Sequence, residues 1–322
     1  MKLLVAIPCL NEENTIREVI SLIPTSIEKI SSIQALVIDD GSSDKTAEIS
    51  EAFGAIVISH KKNLGVGEAF KSAYTFAVAN DYDIMVNIDG DNQFDPRQIA
   101  DLVRPILENK ADLVIGSRFI DNKKIENQSL IKLIGNRLMS SLIGKLIDSK
   151  QTDVSSGFRA YSKEALYNLN LHGSFTYTQE TFLEFSAKKL SIHEVPVTIK
   201  YFKERNSRVV TSLYKYIGKT LIIIIRGYRD FFPLRFFGTL AIICLIPGII
   251  FSGIFILKFL TTGIFSGNLY AGFLGGFFLF LSLSLGLTGL VADMLDRIRN
   301  NQEKILYILK KNQNKTDNEK GT

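Results

Sequence analysis

The sequence predicts an α/β domain with a mostly parallel central sheet, followed by two transmembrane helices. Three observations support this fold class. Short apolar runs alternate with helical patterns over roughly the first 115 residues, as in repeated strand–helix units. Polar motifs begin where the predicted strands end, which is where parallel sheets bind ligands. Two long apolar runs without charge, at 236–257 and 259–292, follow the domain.

The predicted elements of the domain alternate between strand and helix. Strands are favoured where apolar and β-branched residues run together, and helices where apolar residues recur at helical spacing. The first helix is expected to begin after Asn11, whose side chain suits an N-cap. In chain order we expect strands at 3–7, 35–38, 55–59, 84–88 and 113–116, and helices at 12–22, 44–53, 67–79 and 98–108. Repetition of such units places helices on both faces of the sheet.

The motif NIDGDNQFDP at 87–96 is expected to bind a metal ion. It follows a buried strand and places Asp89 and Asp91 two residues apart, with Gly90 between them. In an extended backbone, residues at this spacing point to the same side, so both carboxylates and Gln93 can face one cation. Hard oxygen ligands in a partial set suit Mg²⁺ or Mn²⁺. A solvated acidic turn after a strand is the alternative interpretation.

An ordered set of motifs carries a resemblance to a known family. The motifs are IPCLNEE at 7–13, VIDDGSSDKT at 37–46, NLGVGEAFKSA at 63–73, NIDGDNQFDP at 87–96, VIGSRF at 114–119 and SSGFRAYSKEAL at 155–166. Over about residues 1–210 the chain resembles glycosyltransferase family 2, in particular its dolichol-phosphate mannosyltransferase and polyprenyl-phosphate glycosyltransferase branch. The resemblance implies the GT-A fold, a nucleotide-sugar donor and a polyprenyl-phosphate acceptor.

The resemblance also implies a role for each matching residue. It implies that Asp89, Asp91 and Arg118 are catalytic, and that Asp89, Asp91 and Gln93 bind the metal. The residues implied to bind the donor are Pro8, Leu10, Glu12, Ile38, Asp40, Asp89, Gly90, Asp91, Arg118, Arg205 and Arg208. The last two stand where the family has an arginine followed by a Gly-Glu-Ser-Lys-like run, which here is one residue shorter and has arginine for lysine.

The acceptor phosphate is implied to bind at a separate segment, NRLMSS at 136–141. There the resemblance implicates Arg137 and Ser141. This segment lies in an amphipathic stretch at 130–147, which suits either a helix in the headgroup plane or an ordinary surface helix. The histidines (His60, His172 and His193) lie outside the motifs, so we expect them to be surface or core residues rather than catalysts. Asp153 is expected to be structural.

The carboxyl-terminal third is expected to anchor the protein in a membrane. We place spans at about 236–258 and 270–292, because each charge-free run exceeds the roughly 20 residues that cross a bilayer as a helix. The expected domains are a catalytic domain at 1–210, a juxtamembrane amphipathic helix at 211–235, the two spans within 236–292 and a tail at 293–322. Arginines before the first span and after the second favour cytoplasmic ends, because the connecting loop carries only Lys258.

Charge and cysteine content restrict the remaining functions. The net charge of +5 comes with a concentration of basic residues near the apolar runs, and no nucleic-acid-binding motif accompanies it. The two cysteines, Cys9 and Cys244, have no disulfide or metal spacing. The amino terminus has too short an apolar run for a signal peptide, so the catalytic domain is expected in the cytoplasm.

Two other functions compete with transfer to a lipid phosphate. A processive polysaccharide synthase of the same fold would carry a Gln-x-x-Arg-Trp signature, and this chain contains no tryptophan. A catalytically silent membrane scaffold would have lost Asp91 or the arginines, and they are present. The sequence leaves open the sugar, the nucleobase (GDP-mannose, UDP-glucose or similar), dolichol or undecaprenol as the lipid, and assembly into a homo-oligomer.

Overall fold

The computed structural model describes residues 1–120, 130–147, 149, 151–170, 177–200, 218, 222 and 225–320. The chain divides into two compact units. The first comprises Met1–Ile224 together with Ile305–Thr322, and it contains the sheet. The second comprises Ile225–Lys304, which includes most of the two long apolar helices.

Within the described residues, seven strands form one sheet in the order β3-β2-β1-β4-β6-β5-β7. The strands are β1 Lys2–Cys9, β2 Ser32–Asp39, β3 Ile56–Ser59, β4 Ile84–Asn87, β5 Leu113–Ser117, β6 Arg159–Ser162 and β7 Ile192–Pro196. Strand β6 pairs antiparallel with β4 and β5, and the other pairings are parallel. The predicted mostly parallel sheet is therefore confirmed.

Helices cover both faces of this sheet, as predicted. They are α1 Ile16–Ser21, α2 Thr46–Ala52, α3 Val66–Ala79, α4 Ile99–Leu107, α5 Leu130–Leu146, α6 Lys163–Asn168 and α7 Tyr177–Ala187. Side chains of β1 alternate between two cores. Leu4 and Ala6 join the core that contains α3, whereas Leu3, Val5 and Ile7 join the core that contains α1 and α4. Burial on both faces explains why the central strands are apolar without alternation.

The first helix begins later than the sequence predicts. Helix α1 starts at Ile16, and the amides of Thr15 and Ile16 donate to the Glu12 carbonyl in a preceding turn. Asn11 has a left-handed backbone with φ of 55°, and its Oδ1 accepts a hydrogen bond from the Ser43 amide at 2.8 Å. The prediction that Asn11 caps this helix is therefore wrong, because its side chain bonds to a neighbouring loop instead.

Strands β6 and β7 were not predicted, and both lack a local apolar signal. Strand β6 is short and contains Arg159 and Tyr161, whose polar atoms obscure the pattern of a buried strand. Strand β7 lies at the edge of the sheet, and its residues are only partly buried. Their places in the sheet depend on pairing with distant residues rather than on their own composition.

The second unit contains two helices that are long and apolar enough to cross a membrane. Helix α8 spans Pro233–Thr262, and helix α9 spans Leu269–Lys320. Their most apolar stretches have mean hydropathies of 2.8 and 2.0, and few residues of those stretches are buried. Outward-facing apolar side chains are what a lipid-exposed helix requires. The spans expected at 236–258 and 270–292 lie within these two helices.

A small residue lets helices α8 and α9 approach each other closely. A Cβ added at Gly275 would lie 2.6 Å from the backbone nitrogen of Ser252. A hydrogen bond between the helices accompanies this approach, because Ser282 Oγ donates to the Ala241 carbonyl at 2.8 Å. Close backbone approach and interhelical hydrogen bonds are the usual means by which helices associate in lipid, where the hydrophobic effect does not drive them together.

We predict that Gly275→Ala destabilises the helix pair, whereas Gly276→Ala does not. The added methyl group at 275 would collide with backbone atoms, at a cost of about 1–3 kcal/mol. At the adjacent Gly276 nothing lies within 4 Å of an added Cβ. Both substitutions replace glycine by alanine in the same helix and gain the same helix propensity. The difference between their unfolding midpoints therefore reports the collision alone. The measurement is thermal unfolding of the full-length protein in detergent, and equal midpoints for the two variants would contradict the packing described.

Candidate active site

The loops that carry the predicted functional residues meet at one edge of the sheet. Strands β1, β2 and β4 are mutually parallel, so their carboxyl ends share this edge. Strand β5 runs in the same direction, because it and β4 are both antiparallel to β6. The reversed direction of β6 brings its amino end to the same edge. The loops that converge there are those at 8–15, 38–46, 87–93, 116–119 and 153–158.

The acidic motif forms a tight turn at this edge. Gly90 and Asp91 lie in a turn and Asn92 is left-handed with φ of 57°, so the extended backbone expected here is wrong. The amide of Gln93 donates to Asp91 Oδ1 at 3.1 Å, which is the bond of an Asx turn. A Cβ at position 90 would lie 2.5 Å from Cys9 Sγ, so a larger residue there would force this buried side chain to move. Local hydrogen bonding therefore decides the shape of the motif.

The turn concentrates negative charge in a partly buried place. Burial and the neighbouring charge of Asp91 raise the pKa of Asp89 to about 7, while Arg118 acts in the opposite direction. Glu12 adds further negative charge near Asp89. Burial, followed by the charge of Glu12, also raises the pKa of the Cys9 thiol well above its ordinary value. An excess of carboxylates around the partly buried Asp89 favours the arrival of a cation.

The carboxylates of the acidic turn suit a divalent ion that is bound partly by the protein and partly by a substrate. Among the residues that the structure describes, no group of three His, Cys, Asp or Glu side chains is arranged to hold a metal. Asp89 and Asp91 could contribute a partial set of ligands and leave coordination positions for water and phosphate oxygens. Mg²⁺ and Mn²⁺ accept such mixed shells of carboxylate, water and phosphate oxygen.

A buried amide fixes the position of the acidic turn. The Nδ2 of Asn87, at the end of β4, donates to the Gly157 carbonyl at 2.9 Å and to Tyr177 Oη at 3.0 Å. A Cβ at Gly157 would lie 3.1 Å from Asp89 Oδ2, so the chain passes close to that carboxylate. Thr15 Oγ1 donates to the Gly90 carbonyl at 2.8 Å. Three separate segments thus hold the turn in place.

The loops after β1 and β2 are joined by reciprocal hydrogen bonds. The Asn11 amide donates to Ser42 Oγ at 2.9 Å, and the Ser43 amide donates to Asn11 Oδ1 at 2.8 Å. The Glu12 amide donates to Thr46 Oγ1 at 2.8 Å. These bonds fix the backbone at Glu12, which was predicted to bind the donor, relative to the loop after β2.

The remaining residues expected at the nucleotide differ in their exposure. Pro8 and Leu10 are half-buried at the edge of the sheet. Ile38 is fully buried in the core, so only its main chain could reach a ligand. Asp40 is nearly buried, and its carboxylate faces the loop that leads into α3. The sequence motif therefore combines residues that can touch a ligand with residues that shape the loops.

Arg118 is held by a bidentate ion pair. Its Nε and Nη2 donate to Oδ2 and Oδ1 of Asp153 at 2.6 and 2.7 Å, and Nη2 also donates to Ser155 Oγ at 2.7 Å. Asp153 is fully buried. Its pairing with Arg118 agrees with the structural role expected for it. The guanidinium is thereby held in one orientation. Its positive charge lowers the pKa of Asp89 in the acidic turn and so opposes the effects of burial and of Asp91.

Helix α5 leaves both expected acceptor residues exposed. Arg137 and Ser141 are exposed, whereas Ile143 is fully buried. The adjacent Ser140 is buried, and its hydroxyl donates to the Thr152 carbonyl at 3.1 Å. The helix therefore packs on the domain through Ser140 and Ile143, and presents Arg137 and Ser141 to the solvent.

Two residues expected at the donor site fall outside the described part of the chain, and two residues that hold the acidic turn were not predicted. Arg205 and Arg208 lie outside the part of the chain that the structure describes. Sequence reasoning missed Asn87 and Tyr177, which anchor the acidic turn. For Asn87 a signal existed, since it is a polar residue that ends an otherwise apolar strand. For Tyr177, distant in the chain, no local signal could have indicated a contact with Asn87.

Comparison with known proteins agrees with the fold and with the resemblance. A family model described as Glycosyl transferase family 2 matches residues 4–169. The UDP-N-acetylglucosamine–dolichyl-phosphate N-acetylglucosaminyltransferase of Methanococcus voltae is 30% identical over 215 residues, which cover 61% of this chain and 84% of the relative. The polyprenol monophosphomannose synthase of Mycolicibacterium smegmatis is 26% identical over 212 residues, covering 63% and 77%.

Solved structures resemble the catalytic fold. Glucosyl-3-phosphoglycerate synthase from Mycobacterium tuberculosis, in complex with UDP, superposes with a TM-score of 0.55 and 23% identity, covering 71% of this chain and 79% of that protein. Another structure of that synthase contains Mn²⁺ and UDP together with glucosyl-3-phosphoglycerate. At this identity the likeness establishes a GT-A-like fold, as the sequence predicted.

We predict that Asp89→Asn stabilises the metal-free protein increasingly as the pH rises. The pKa of Asp89 is raised to about 7 in the folded state. The folded protein therefore holds this proton more tightly than the unfolded chain, and loses stability as the pH rises from about 4 through about 7. Asparagine avoids that loss, so its advantage should grow over this interval, reach about 4 kcal/mol and then level off. Denaturation with a chelator present, at a series of pH values, measures it.

Asp95→Asn provides a control of opposite sign from the same loop. A hydrogen bond from Arg97 lowers the pKa of Asp95, so its charge stabilises the fold above about pH 4. Its replacement should destabilise the protein at neutral pH. A gain from Asp89→Asn that stays constant over the pH series would contradict the buried, unfavourable charge assigned to Asp89.

Proposed function

The chain belongs to glycosyl transferase family 2 and is a glycosyltransferase, and on this premise we propose that it transfers a sugar from a nucleotide sugar to a polyprenyl phosphate. The observation that carries the proposal is the acidic turn of Asp89 and Asp91 at the carboxyl edge of the sheet, within the field of Arg118. Relatives named for dolichyl-phosphate and polyprenol acceptors support this class of acceptor. Donors such as GDP-mannose, UDP-glucose and UDP-N-acetylglucosamine all suit the site.

We propose that Asp89 and Asp91, with Gln93 beside them, hold Mg²⁺ or Mn²⁺ together with the donor diphosphate. The excess of buried negative charge supports this, since a cation would relieve it. A divalent ion bound there would stabilise the charge that develops on the leaving diphosphate. Arg118, already oriented by Asp153, would add a fixed positive charge near the same phosphates. Arg205 and Arg208 are proposed to do the same.

The other donor-binding residues would orient the nucleotide. Glu12 and Asp40 lie on loops that are locked by hydrogen bonds, so they would meet the nucleotide with little reorganisation. Pro8 and Leu10 would contact the nucleotide through their half-buried side chains. Preorganised loops of this kind spend less binding energy on ordering themselves when the donor arrives.

The transfer itself is proposed as a single displacement with inversion. An oxygen of the acceptor phosphate attacks the anomeric carbon, the bond from that carbon to the diphosphate oxygen breaks, and the nucleoside diphosphate leaves. A phosphate monoester has a second pKa near about 6, so it is largely a dianion at neutral pH and needs no general base. This agrees with the absence of a histidine from the sequence motifs.

The acceptor is proposed to bind at α5. Arg137 and Ser141 are exposed on this helix, and they offer a guanidinium and a hydroxyl to the phosphate of the lipid. A cation that binds a phosphate at a lipid surface would be partly desolvated, which strengthens the interaction. Arg137 and Ser141 would therefore serve the acceptor, whereas Arg118 would serve the donor.

The two long apolar helices indicate a membrane protein. We propose the arrangement expected from the sequence, with a catalytic domain at 1–210, a juxtamembrane helix at 211–235, spans within 236–292 and a tail at 293–322. Arginines precede the first span and follow the second, whereas the connecting segment carries only Lys258. This asymmetry supports cytoplasmic placement of both termini and of the catalytic domain.

We predict that Asp91→Ala and Arg137→Ala impair the reaction through different substrates. In an assay with purified protein, GDP- and UDP-sugars and a polyprenyl phosphate, Asp91→Ala should reduce metal-dependent turnover by at least about a hundredfold. Arg137→Ala should raise the KM for the lipid phosphate or lower kcat, by about 2–4 kcal/mol in kcat/KM, without changing donor affinity. Lys145→Ala removes another exposed basic side chain of α5 and should have little effect.

The outcomes separate the roles of the two residues. Undiminished turnover of Asp91→Ala would contradict the metal assignment. If Arg137→Ala weakened nucleotide-sugar binding, measured calorimetrically without acceptor, as much as it weakened turnover, the acceptor role would be wrong. No transfer from any sugar nucleotide to the lipid phosphate would overturn the proposed function as a whole.

We predict that Asn268 and Asn312 lie on opposite sides of the membrane. In intact cells, a membrane-impermeant thiol reagent should label a cysteine placed at 268, and should label one at 312 only after permeabilisation. The unmodified protein is the control, since Cys9 is buried and Cys244 is half-buried. Protection of position 268 in intact cells, with labelling only after permeabilisation, would indicate a re-entrant hairpin that does not cross the membrane.

A further inference from the structure

The side chain of His60 connects three elements near the nucleotide end of the proposed site. Its Nδ1 lies 2.7 Å from Asp40 Oδ1, directly after β2, and its Nε2 lies 2.9 Å from Ser72 Oγ on α3. The side chains of His60 and Asp40 are only 11% and 7% exposed. His60 itself follows the end of β3. No motif of the family contains this histidine, yet it lies against a residue proposed to bind the donor.

Hydrogen-bond chemistry determines the direction of this chain of contacts. Asp40, as a carboxylate, only accepts hydrogen bonds, so the hydrogen on Nδ1 of His60 points at Asp40. The Nε2 atom accepts from the Ser72 hydroxyl when the imidazole is neutral, and donates to it when the imidazole is charged. A hydroxyl can donate or accept a hydrogen bond, so Ser72 can bond to His60 whether the imidazole is neutral or charged.

Asp40 in turn holds the loop at 61–65, which leads into α3. Its Oδ1 also accepts from the Leu64 amide at 2.9 Å, and its Oδ2 accepts from the Gly65 amide at 2.8 Å. Gly65 caps the helix with φ of 97°, a conformation that favours glycine. The residues at 61–64 are exposed, so polar contacts to Asp40, rather than burial, hold the end of this loop.

The same loop lies directly against the turn after β2. Gly41 has φ of 79°, and a Cβ added to it would lie 2.8 Å from the carbonyl carbon of Lys62 and 2.9 Å from the Asn63 nitrogen. The two main chains are therefore in contact without any side chain between them. A small rotation of Asp40 would shift the loop at 61–65 as well as the turn itself.

We propose that His60 is a positioning residue of the donor site, which acts through Asp40 on the loop at 61–65. The proposal rests on the proposed function, in which Asp40 binds the nucleotide of the donor. Without the imidazole, Asp40 keeps two amide donors but loses one of the three hydrogen bonds that orient its carboxylate. A nucleotide would then have to order both the carboxylate and the loop, which costs affinity. Since His60 touches neither substrate, the rate of the chemical step stays the same.

The affinity test uses the full-length protein and the nucleoside diphosphate, GDP or UDP, that the wild type binds. His60→Ala should weaken this binding by about tenfold, measured calorimetrically without acceptor, because a hydrogen bond to a charged group is lost. The KM for the nucleotide sugar should rise similarly, with kcat and the KM for polyprenyl phosphate unchanged. His60→Asn, whose amide nitrogen can replace Nδ1, should recover most of the affinity. The exposed His193 supplies the control His193→Ala, which should behave as the wild type.

Amide hydrogen exchange at Leu64 and Gly65 tests the positioning without any substrate. Both amides should exchange faster in His60→Ala than in the wild type, and His60→Asn should restore their protection. Unchanged exchange, or unchanged nucleotide affinity, in His60→Ala would overturn the inference, and so would a fall in kcat at constant donor KM. A wild-type protein that binds neither nucleotide would count against the proposed function, while the exchange result would still decide the role of His60.

Discussion

The buried guanidinium of Arg159 holds the loop on which the geometry of the candidate site depends. This side chain is fully buried at the start of β6, and its nitrogens donate to the carbonyls of Val154, Ser156 and Thr178 at 2.8 to 3.0 Å. The ring of Phe182 lies 5.0 Å from the guanidinium carbon. A buried charge is costly unless hydrogen bonds compensate it, so these segments are strongly constrained to remain together. The loop that they hold carries Asp153, the partner of Arg118.

The loop held by Arg159 leads into β6, the single antiparallel strand among those described. Because β6 lies between β4 and β5 in reverse, the loop before it reaches the edge at which the parallel strands end. Gly157 then passes beside Asp89, and the Arg118–Asp153 pair lies in the field of the acidic turn. The protein thus collects carboxylates at a place where burial and the charge of Asp91 disfavour the ionised form of Asp89, and surrounds them with hydrogen bonds. Strongly perturbed pKa values of this kind cluster at functional sites.

Much of this could be predicted from the sequence, because the determining signals are local. Periodicity located most strands and helices of the domain, and the charge-free runs located the two apolar helices. The motif order gave the family. The errors also have physical reasons. Asn11 suited a helix cap by residue type, but Ser43 on another loop supplied a stronger alternative partner. The acidic motif was expected to be extended, but the bond between Gln93 and Asp91 bends it into a turn.

The sequence by itself therefore determined the fold class, the family and the apolar helices and supplied the candidate site residues, since each depends on composition or spacing along the chain. Only the tertiary structure decided which of those residues meet. The contact of Asn87 with Tyr177, the pairing of Arg118 with Asp153 and the link from His60 to Asp40 all join residues far apart in sequence. Such contacts leave no periodic signal, because they arise where strands from different parts of the chain end at one edge of a sheet.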